Sequence, residues 1–204
     1  MLQLKCRTEF SFRECFGPIS KVLAATQGPV GICDRNGTWG HIAFFNECKK
    51  VGRKPLLGVE LAVVEDASVK EKQGINWMSF IARNAKGLKQ LYELVSLSTS
   101  DKHFYYQPRI DYPALFDLTD DVIIFSGSHP AWGSLPRFEN VFVELSPVSS
   151  MQSARFAAEK KFKTVAVSDN FFPTIDDKKV YEIFAGDKRQ MRTRPMHQIG
   201  RAHV

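Results

Sequence analysis

The sequence predicts an α/β fold in which a parallel sheet forms a barrel or a barrel-like structure. Six or seven short apolar runs indicate buried strands, and most of them are followed by a segment with helical spacing. The clearest example is residues 29–60, where two apolar runs flank one helical segment. A doubly wound sheet is the alternative, but no glycine-rich phosphate loop opens any predicted helix. We therefore favour the barrel-like fold in a single domain.

Residues 29–60 are predicted to form one βαβ unit. Apolar runs at residues 30–33 and 55–64 are joined by a helical segment at residues 38–50, with Thr38 as a possible cap. A crossover of this kind is right-handed and makes the two strands parallel. Asp34 and Glu60 are then expected at the same edge of the sheet. The apolar residues near helical spacing in the connecting segment are Trp39, Ile42, Ala43, Phe45 and Val51.

The alternation typical of strands and the apolar spacing typical of helices also predict the elements on either side of this unit. Residues 2–6 alternate weakly, as a strand does, and residues 18–26 form a short helix with proline in its first turn. Residues 75–82 alternate as a half-buried strand. Asn84 can cap the next helix, whose apolar stripe covers residues 88–95.

The second half of the chain continues the alternation of strands and helices. Residues 104–111 form an aromatic loop with a proline, and Tyr105 and Tyr106 are expected to pack against the barrel mouth. Strands are predicted at residues 121–125, 141–145 and 164–167, and helices at residues 113–118, 150–162 and 176–185.

The composition is typical of a soluble globular domain. The chain has 204 residues, of which 44% are hydrophobic and 25% charged, so it can bury a substantial core. No apolar run approaches the length of a membrane span and no signal-peptide pattern is present, so we expect a cytoplasmic protein. The four cysteines show no CxxC pair and are expected to be packed thiols. A net charge of +6 is compatible with a nucleic-acid neighbour or an acidic partner.

Charged side chains follow four of the predicted strands. Carboxylates at strand ends could hold divalent metal ions, but no histidine stands beside them, and His129 is the best of the scattered histidines. The alternative is structural, because lysine and arginine could balance buried carboxylates where a metal would otherwise lie. The residues concerned are Lys5, Arg7, Glu9, Asp34, Arg35, Glu60 and Asp169.

Two strings of residues carry a resemblance to a known family. Residues 54–60 are Lys-Pro-Leu-Leu-Gly-Val-Glu, and residues 105–111 are Tyr-Tyr-Gln-Pro-Arg-Ile-Asp. With them, the chain resembles the N-terminal PHP (polymerase and histidinol phosphatase) domain of bacterial DNA polymerase III alpha subunits, the C-family polymerases. The resemblance implies a distorted (β/α)7 barrel-like PHP fold over residues 1–185 and a basic irregular segment, residues 186–204, leading to a following domain. Shorter matches are Glu9-Phe10-Ser11, residues 91–97, Ser126-Gly127 and Val167-Ser168-Asp169.

The resemblance also implies a degenerate metal site. Metal-binding members carry a His-x-His pair on the first strand and an Asp-His pair after the second, and this chain has Lys5, Arg7 and Arg35 at the histidine positions. Three fixed cations in place of imidazoles should abolish metal binding, so no metal cofactor is expected. Of the remaining pattern the chain keeps Asp34, Glu60 and Asp169, with Glu9 and Arg109 nearby in the motifs, while Ser128 and Phe171 replace other ligands.

The function implied by the resemblance is that of the N-terminal domain of a replicative DNA-directed DNA polymerase. Such a domain would be catalytically silent and would act as a scaffold or dock a proofreading exonuclease subunit. Its partners would be the remaining polymerase domains and, through the parent polymerase, DNA. The alternative is a metal-dependent phosphoesterase or 3′–5′ exonuclease with a reorganised site. Such a site would use Mn or Zn held by Asp34, Glu60 and Asp169, with His129 as a further candidate.

Overall fold

The computed structural model describes residues 3–12, 14–147, 149–185 and 197–198, which form a mixed α/β fold. The chain divides into two units, the first comprising residues 1–35, 39–57 and 168–204, and the second residues 36–38 and 58–167. The strands are β1 (Gln3–Cys6), β2 (Val30–Arg35), β3 (Pro55–Val64), β4 (Asn76–Ala82), β5 (Ile110–Asp111), β6 (Val122–Phe125), β7 (Val141–Leu145), β8 (Lys163–Ala166), β9 (Asn170–Phe172) and β10 (His197–Gln198). The helices are α1 (Ile19–Ala25), α2 (His41–Lys50), α3 (Ala85–Ser98), α4 (Ser150–Lys160) and α5 (Lys178–Ala185).

The first unit is built on the parallel pair of β1 and β2, and β9 pairs in parallel with β10. Gly31 permits the close approach of β1 and β2, because a Cβ there would come within 2.4 Å of the Leu4 carbonyl oxygen. Helices α1 and α2 pack together over this pair. The buried core consists of Cys6, Ile19, Val22, Leu23, Val30, Ile32, Phe44 and Cys48.

Helix α2 buries a different face from the one predicted. The helix begins at His41 after Gly40, without a side-chain cap, so Thr38 does not cap it. Its buried residues are His41, Phe44 and Cys48, whereas Trp39 and Ile42 are 66% and 76% exposed. Gly40 leaves room for the close approach of the helix, since a Cβ there would lie 2.9 Å from Asp34 Oδ2 and 3.0 Å from Ile32. Phe44, rather than Phe45, packs in the core with Ile32 and Cys48.

The second unit contains a mixed sheet, so the prediction of an all-parallel arrangement was wrong at β4. Strand β4 lies antiparallel to β3 on one side and to β6 on the other. The connection from β3 to β4 contains no helix, and a parallel return normally needs a crossover of that kind. The pairs β6–β7 and β7–β8 are parallel, as expected. Strand β5 was not predicted, since it lies within the predicted loop at residues 104–111, and it pairs in parallel with β3.

Most of the other predicted elements are confirmed, with small differences at their ends. Strand β7 has the predicted bounds, and Asn84 caps α3 by accepting a hydrogen bond from the Gly87 amide at 3.0 Å. The late helix begins at Lys178, after a 3₁₀ turn at Ile175–Asp177. All four cysteines are free and buried. The predicted basic segment at residues 186–204 lies outside the described residues, apart from the two residues of β10.

The core of the second unit lies between the sheet and α3. It joins Leu91 and Leu94 of α3 to Val59 and Leu61 of β3 and to Phe80 of β4. Among the described residues, no helix is long and apolar enough to span a bilayer.

Candidate functional site

Asp169 in the first unit is held by two cations from the end of β1. Arg7, which is only 2% exposed, donates from Nη2 to Asp169 Oδ1 at 2.8 Å. The ammonium of Lys5 lies 3.6 Å from the same oxygen. The Arg7 guanidinium also lies over the Phe171 ring, 5.6 Å from its centroid. The structure therefore brings four of the predicted site residues together, and the carboxylate has its counter-charges within the chain.

Asn170 positions this cluster, and the sequence reasoning missed it. Its side-chain oxygen accepts from the Arg7 amide at 3.0 Å, and its Nδ2 donates to the Lys5 carbonyl at 3.0 Å. Asn170 thus joins the end of β1 to β9 across 165 positions of sequence. Burial raises the pKa of the intervening Cys6 thiol to about 12, so this cysteine is inert at neutral pH. The available signal was an asparagine directly after the Val167-Ser168-Asp169 motif.

Asp34 lies at the end of β2 and receives three short hydrogen bonds. The Thr8 amide donates at 2.6 Å, the Thr8 hydroxyl at 2.7 Å and the Ser11 hydroxyl at 2.6 Å. Burial raises the pKa of the Asp34 carboxyl, and these hydrogen bonds oppose that rise. Both carboxylate oxygens are engaged by donors from the loop after β1. Thr8 was not predicted as a site residue, although it stands beside the Glu9-Phe10-Ser11 motif.

Arg35 and Glu9 lie around the same loop in the first unit. Arg35 donates from Nη1 to Glu14 at 2.6 Å, and its amide donates to the Ser11 hydroxyl at 3.1 Å. The sequence predicts this cation among Asp34, Glu60 and Asp169, and it does not predict the ion pair with Glu14. Burial raises the pKa of the Glu9 carboxyl above its ordinary value. Arg35 therefore contributes an ion pair that anchors the loop containing Glu14.

Glu60 and Ser128 belong to the second unit. Glu60 is fully buried on β3, opposite Ser79 of β4. Because Asp34 belongs to the first unit, the shared edge of Asp34 and Glu60 stays a prediction. Ser128 is half-buried in the loop after β6. It follows Gly127, whose φ is +68° and whose added Cβ would lie 2.3 Å from the Trp77 carbonyl oxygen.

Asn76 holds the loop that contains Ser128, in the same way as Asn170 holds β1. Its Nδ2 donates to the Ser126 carbonyl at 2.8 Å, and its Oδ1 accepts from the His129 amide at 3.1 Å. The His129 ring is stacked on Trp132 at 3.9 Å, and burial lowers the pKa of His129. The stacking and the lowered pKa together favour a neutral, packed imidazole at His129.

Arg109 is buried in the second unit and is surrounded by main-chain carbonyls. It donates to the carbonyl oxygens of Ala67 and Val69 at 3.1 Å each, of His103 at 3.2 Å and of Glu71 at 3.4 Å. The Tyr105 ring covers the guanidinium at 5.0 Å. Arg109 thus ties residues 65–73 to residues 99–107. This gives the arginine of the Tyr-Tyr-Gln-Pro-Arg string a structural role.

His103, in the same loop, should make stability depend on pH. Its Nδ1 lies 3.0 Å from the Ser100 hydroxyl, and burial lowers its pKa below the ordinary 6.5. Between the two pKa values the unfolded chain binds the extra proton more readily, so stability should rise with pH and level off above about 6.5. Urea unfolding between pH 5 and pH 8 should show a smaller rise for His103→Asn. Equal profiles for the two proteins would contradict this assignment.

Comparison with known families identifies the fold. The sequence profile described as the PHP domain matches residues 3–172, which is most of the chain. The chain belongs to the PHP domain family. The motifs at residues 54–60 and 105–111 lie inside this matched range, so the resemblance inferred from them is confirmed.

The curated relatives of this PHP domain include DNA polymerase III alpha subunits. That of Borreliella burgdorferi is 32% identical over 124 residues, which covers 58% of this chain and 10% of that protein. That of Aquifex aeolicus is 31% identical over 96 residues, covering 42% of this chain and 8% of the relative. That of Chlamydia pneumoniae is 24% identical over 135 residues, which covers 62% of this chain and 11% of that protein. The chain thus spans about a tenth of the length of these relatives.

Solved structures confirm the predicted fold class of the PHP domain. A protein of Bifidobacterium adolescentis described as a metal-dependent phosphoesterase superposes with a TM-score of 0.50 and 14% identity, covering 93% of this chain and 98% of that one. An amidohydrolase of Chromobacterium violaceum, with bound sulfate and no metal, superposes with a TM-score of 0.55 and 10% identity. The superposition covers 92% of this chain and 99% of that one. At these identities the likeness establishes the fold alone.

Two carboxylates of the predicted metal-site rim, Asp34 and Asp169, are engaged by other groups of this chain. Within the described ranges, no group of three or more histidine, cysteine, aspartate or glutamate side chains is arranged to hold an ion. Asp169 is bound to Arg7 and lies close to the Lys5 ammonium, and both oxygens of Asp34 accept hydrogen bonds from Thr8 or Ser11. Ammonium and guanidinium groups cannot coordinate a cation, and their charge repels it.

Proposed function

We propose that this chain is the N-terminal PHP domain of a DNA polymerase III alpha-type subunit. In this proposal the parent protein is a DNA-directed DNA polymerase of DNA replication, and the domain itself binds no metal and catalyses no reaction. The proposal is supported by the relatives, which are DNA polymerase III alpha subunits about ten times longer than the matched segment. The domain would act as a scaffold for the remaining polymerase domains or as a docking site for a proofreading exonuclease subunit.

The observation that carries the metal-free part of this proposal is the pairing of Asp169 with Arg7. A divalent ion placed about 4 Å from one fixed cation would be repelled by about 8 kcal/mol at an effective dielectric constant of about 20. The approach of Lys5 to the same carboxylate adds a second repulsion. In addition, a metal bound at Asp34 would have to displace donors from Thr8 and Ser11 that satisfy a buried carboxylate.

Exposed apolar side chains in the first unit support a role in interactions. Phe12 is exposed in the loop after β1, and Trp39 and Ile42 are exposed at the start of α2. Large exposed apolar side chains mark protein interaction surfaces when they are grouped. In the proposed assembly, these residues would contact a following polymerase domain or the exonuclease subunit.

Metal analysis of the purified chain tests this function. We expect elemental analysis after dialysis against Mn²⁺ or Zn²⁺ to find no stoichiometric metal in the wild type. The variant combining Lys5→His, Arg7→His and Arg35→His should retain more metal, because imidazoles then stand at the positions of the cations. The matched variant with glutamine at the three positions removes the same charges without supplying ligands and should stay metal-free.

Two outcomes would overturn the metal-free proposal. One is stoichiometric Mn or Zn bound tightly by the wild-type chain. The other is Mn²⁺-dependent hydrolysis of a phosphodiester that is lost in Asp34→Asn, which would favour the phosphoesterase alternative. Circular dichroism of the histidine and glutamine variants establishes that each is folded before its metal content is compared.

A further inference from the structure

An aromatic cleft in the second unit has no part in the proposed scaffold function. It lies between residues 71–75 and the turn at residues 105–107 and encloses about 350 Å³. Its walls include Val64, Ile75, Tyr105 and Tyr106, and the charged residues Glu71 and Lys72 also line it. The cleft therefore combines apolar walls and aromatic rings with one acidic side chain and one lysine.

Tyr106 at this cleft is held in a conformation that is unfavourable for tyrosine. Its φ is +57°, in the left-handed region, where bulky residues are rare. The turn is closed by the Tyr105 amide, which donates to the Gln107 carbonyl at 3.1 Å. The Tyr106 side chain is 88% exposed, so core packing does not compensate for the strain, and the expected packing against the barrel mouth was wrong. Strain of this kind is typical of functional positions.

Two cations hold the turn that carries Tyr106. One is the buried Arg109, and the other is Lys70, whose ammonium is hydrogen-bonded to main-chain carbonyls. Arg109 lies 5.0 Å under the Tyr105 ring, and the two tyrosine rings contact edge to face at 4.6 Å. Lys70 donates to the carbonyl oxygens of Asp101, Lys102 and Phe104, each at 2.7 Å. The Tyr106 ring is thus presented on an ordered support, which lowers the entropy lost when a ligand binds.

The surroundings of the cleft carry a net positive charge. Residues 70–73 and 100–109 contain four basic side chains and two acidic ones. Lys72 and Lys102 are exposed, and they are the cations available to a ligand in solvent. An exposed aromatic ring with lysines beside it is the combination that binds single-stranded nucleic acid, because bases stack on the ring and phosphates approach the cations.

We propose that this cleft binds an unpaired base of a single-stranded nucleic acid. Tyr106 stacks on the base, and Lys72 and Lys102 attract the neighbouring phosphates. An apolar peptide would fill the cleft without using the lysines, whereas a nucleic acid uses the rings and the lysines together. The proposal does not depend on whether the first unit binds metal, so the metal analysis and the binding experiment can fail separately.

Fluorescence anisotropy with a labelled oligothymidylate of about 12 nucleotides tests this site at low salt in the full chain. Tyr106→Gly removes the ring and relieves the positive φ, so it should melt no lower than the wild type. It should nevertheless bind the oligonucleotide about 10- to 100-fold more weakly, the loss expected for one stacked base. Tyr106→Phe keeps the stacking surface and should bind like the wild type.

The controls separate stacking from general charge attraction. Tyr92→Ala removes a partly exposed ring from α3 of the same unit and should leave binding unchanged. Lys72→Ala combined with Lys102→Ala should weaken binding and reduce its salt dependence. The proposal is overturned if the wild type does not bind, if Tyr106→Gly binds as well as the wild type, or if only the lysine variant loses affinity.

Discussion

Replacing Arg109 by alanine should lower the free energy of unfolding by about 4 kcal/mol, because several buried hydrogen bonds are lost together. Arg109 is buried and donates to the carbonyl oxygens of Ala67, Val69, Glu71 and His103. Alanine leaves these acceptors without their donor and creates a void beneath the Tyr105 ring. Denaturant unfolding followed by circular dichroism measures the change.

Two further variants, Arg109→Lys and Arg83→Ala, serve as comparisons for the loss of stability in Arg109→Ala. Arg109→Lys keeps the charge but not the planar fork, so it should recover only part of the lost stability. Arg83→Ala removes an exposed arginine that donates to the Asp120 carbonyl at 3.0 Å, and it should change stability by less than about 0.5 kcal/mol. If Arg109→Ala were no more destabilising than Arg83→Ala, the guanidinium would not hold the two segments together.

Replacing Asp34 by alanine should lower the free energy of unfolding by about 3 kcal/mol, since a buried amide would lose its acceptor. Thr8 is fully buried, and its amide and hydroxyl both donate to Asp34. The Ser11 hydroxyl would lose the same partner. Asp34→Asn should be less damaging, because its amide oxygen can still accept from part of this set. Thermal and denaturant unfolding of the two variants measure the difference.

Asp66 offers a matched control for Asp34. It also accepts from a backbone amide and a hydroxyl, both of Ser68, at 2.8 and 2.6 Å, but it is exposed. Asp66→Ala should therefore change stability by less than about 0.5 kcal/mol, because water replaces the lost acceptor. Equal losses for Asp34→Ala and Asp66→Ala would show that burial of the Thr8 amide does not matter.

Local sequence signals predicted several elements of this domain correctly. The bounds of β7 and the cap of α3 by Asn84 follow from alternation and from a side chain that bonds the third amide along the chain. These features depend on neighbours within a few residues, so a local pattern contains the information. The family was likewise predicted from two short strings whose residues are contiguous in the chain.

Features that depend on distant partners were not predicted. Periodicity allowed more than one buried face for α2, and packing against distant residues such as Val22 and Ile32 buried Phe44 and Cys48. The direction of β4 depended on a connection without a helix.

The sequence by itself determined which charges replace the family's histidines, because Lys5, Arg7 and Arg35 can be identified directly at those positions. Only the tertiary structure decided what those charges bind. Arg7 meets Asp169 across 162 positions of sequence, and Arg35 meets Glu14, a carboxylate that the sequence pattern did not single out. Ion pairs form between groups that folding brings within a few ångströms, and that distance is not encoded in any short stretch of the chain.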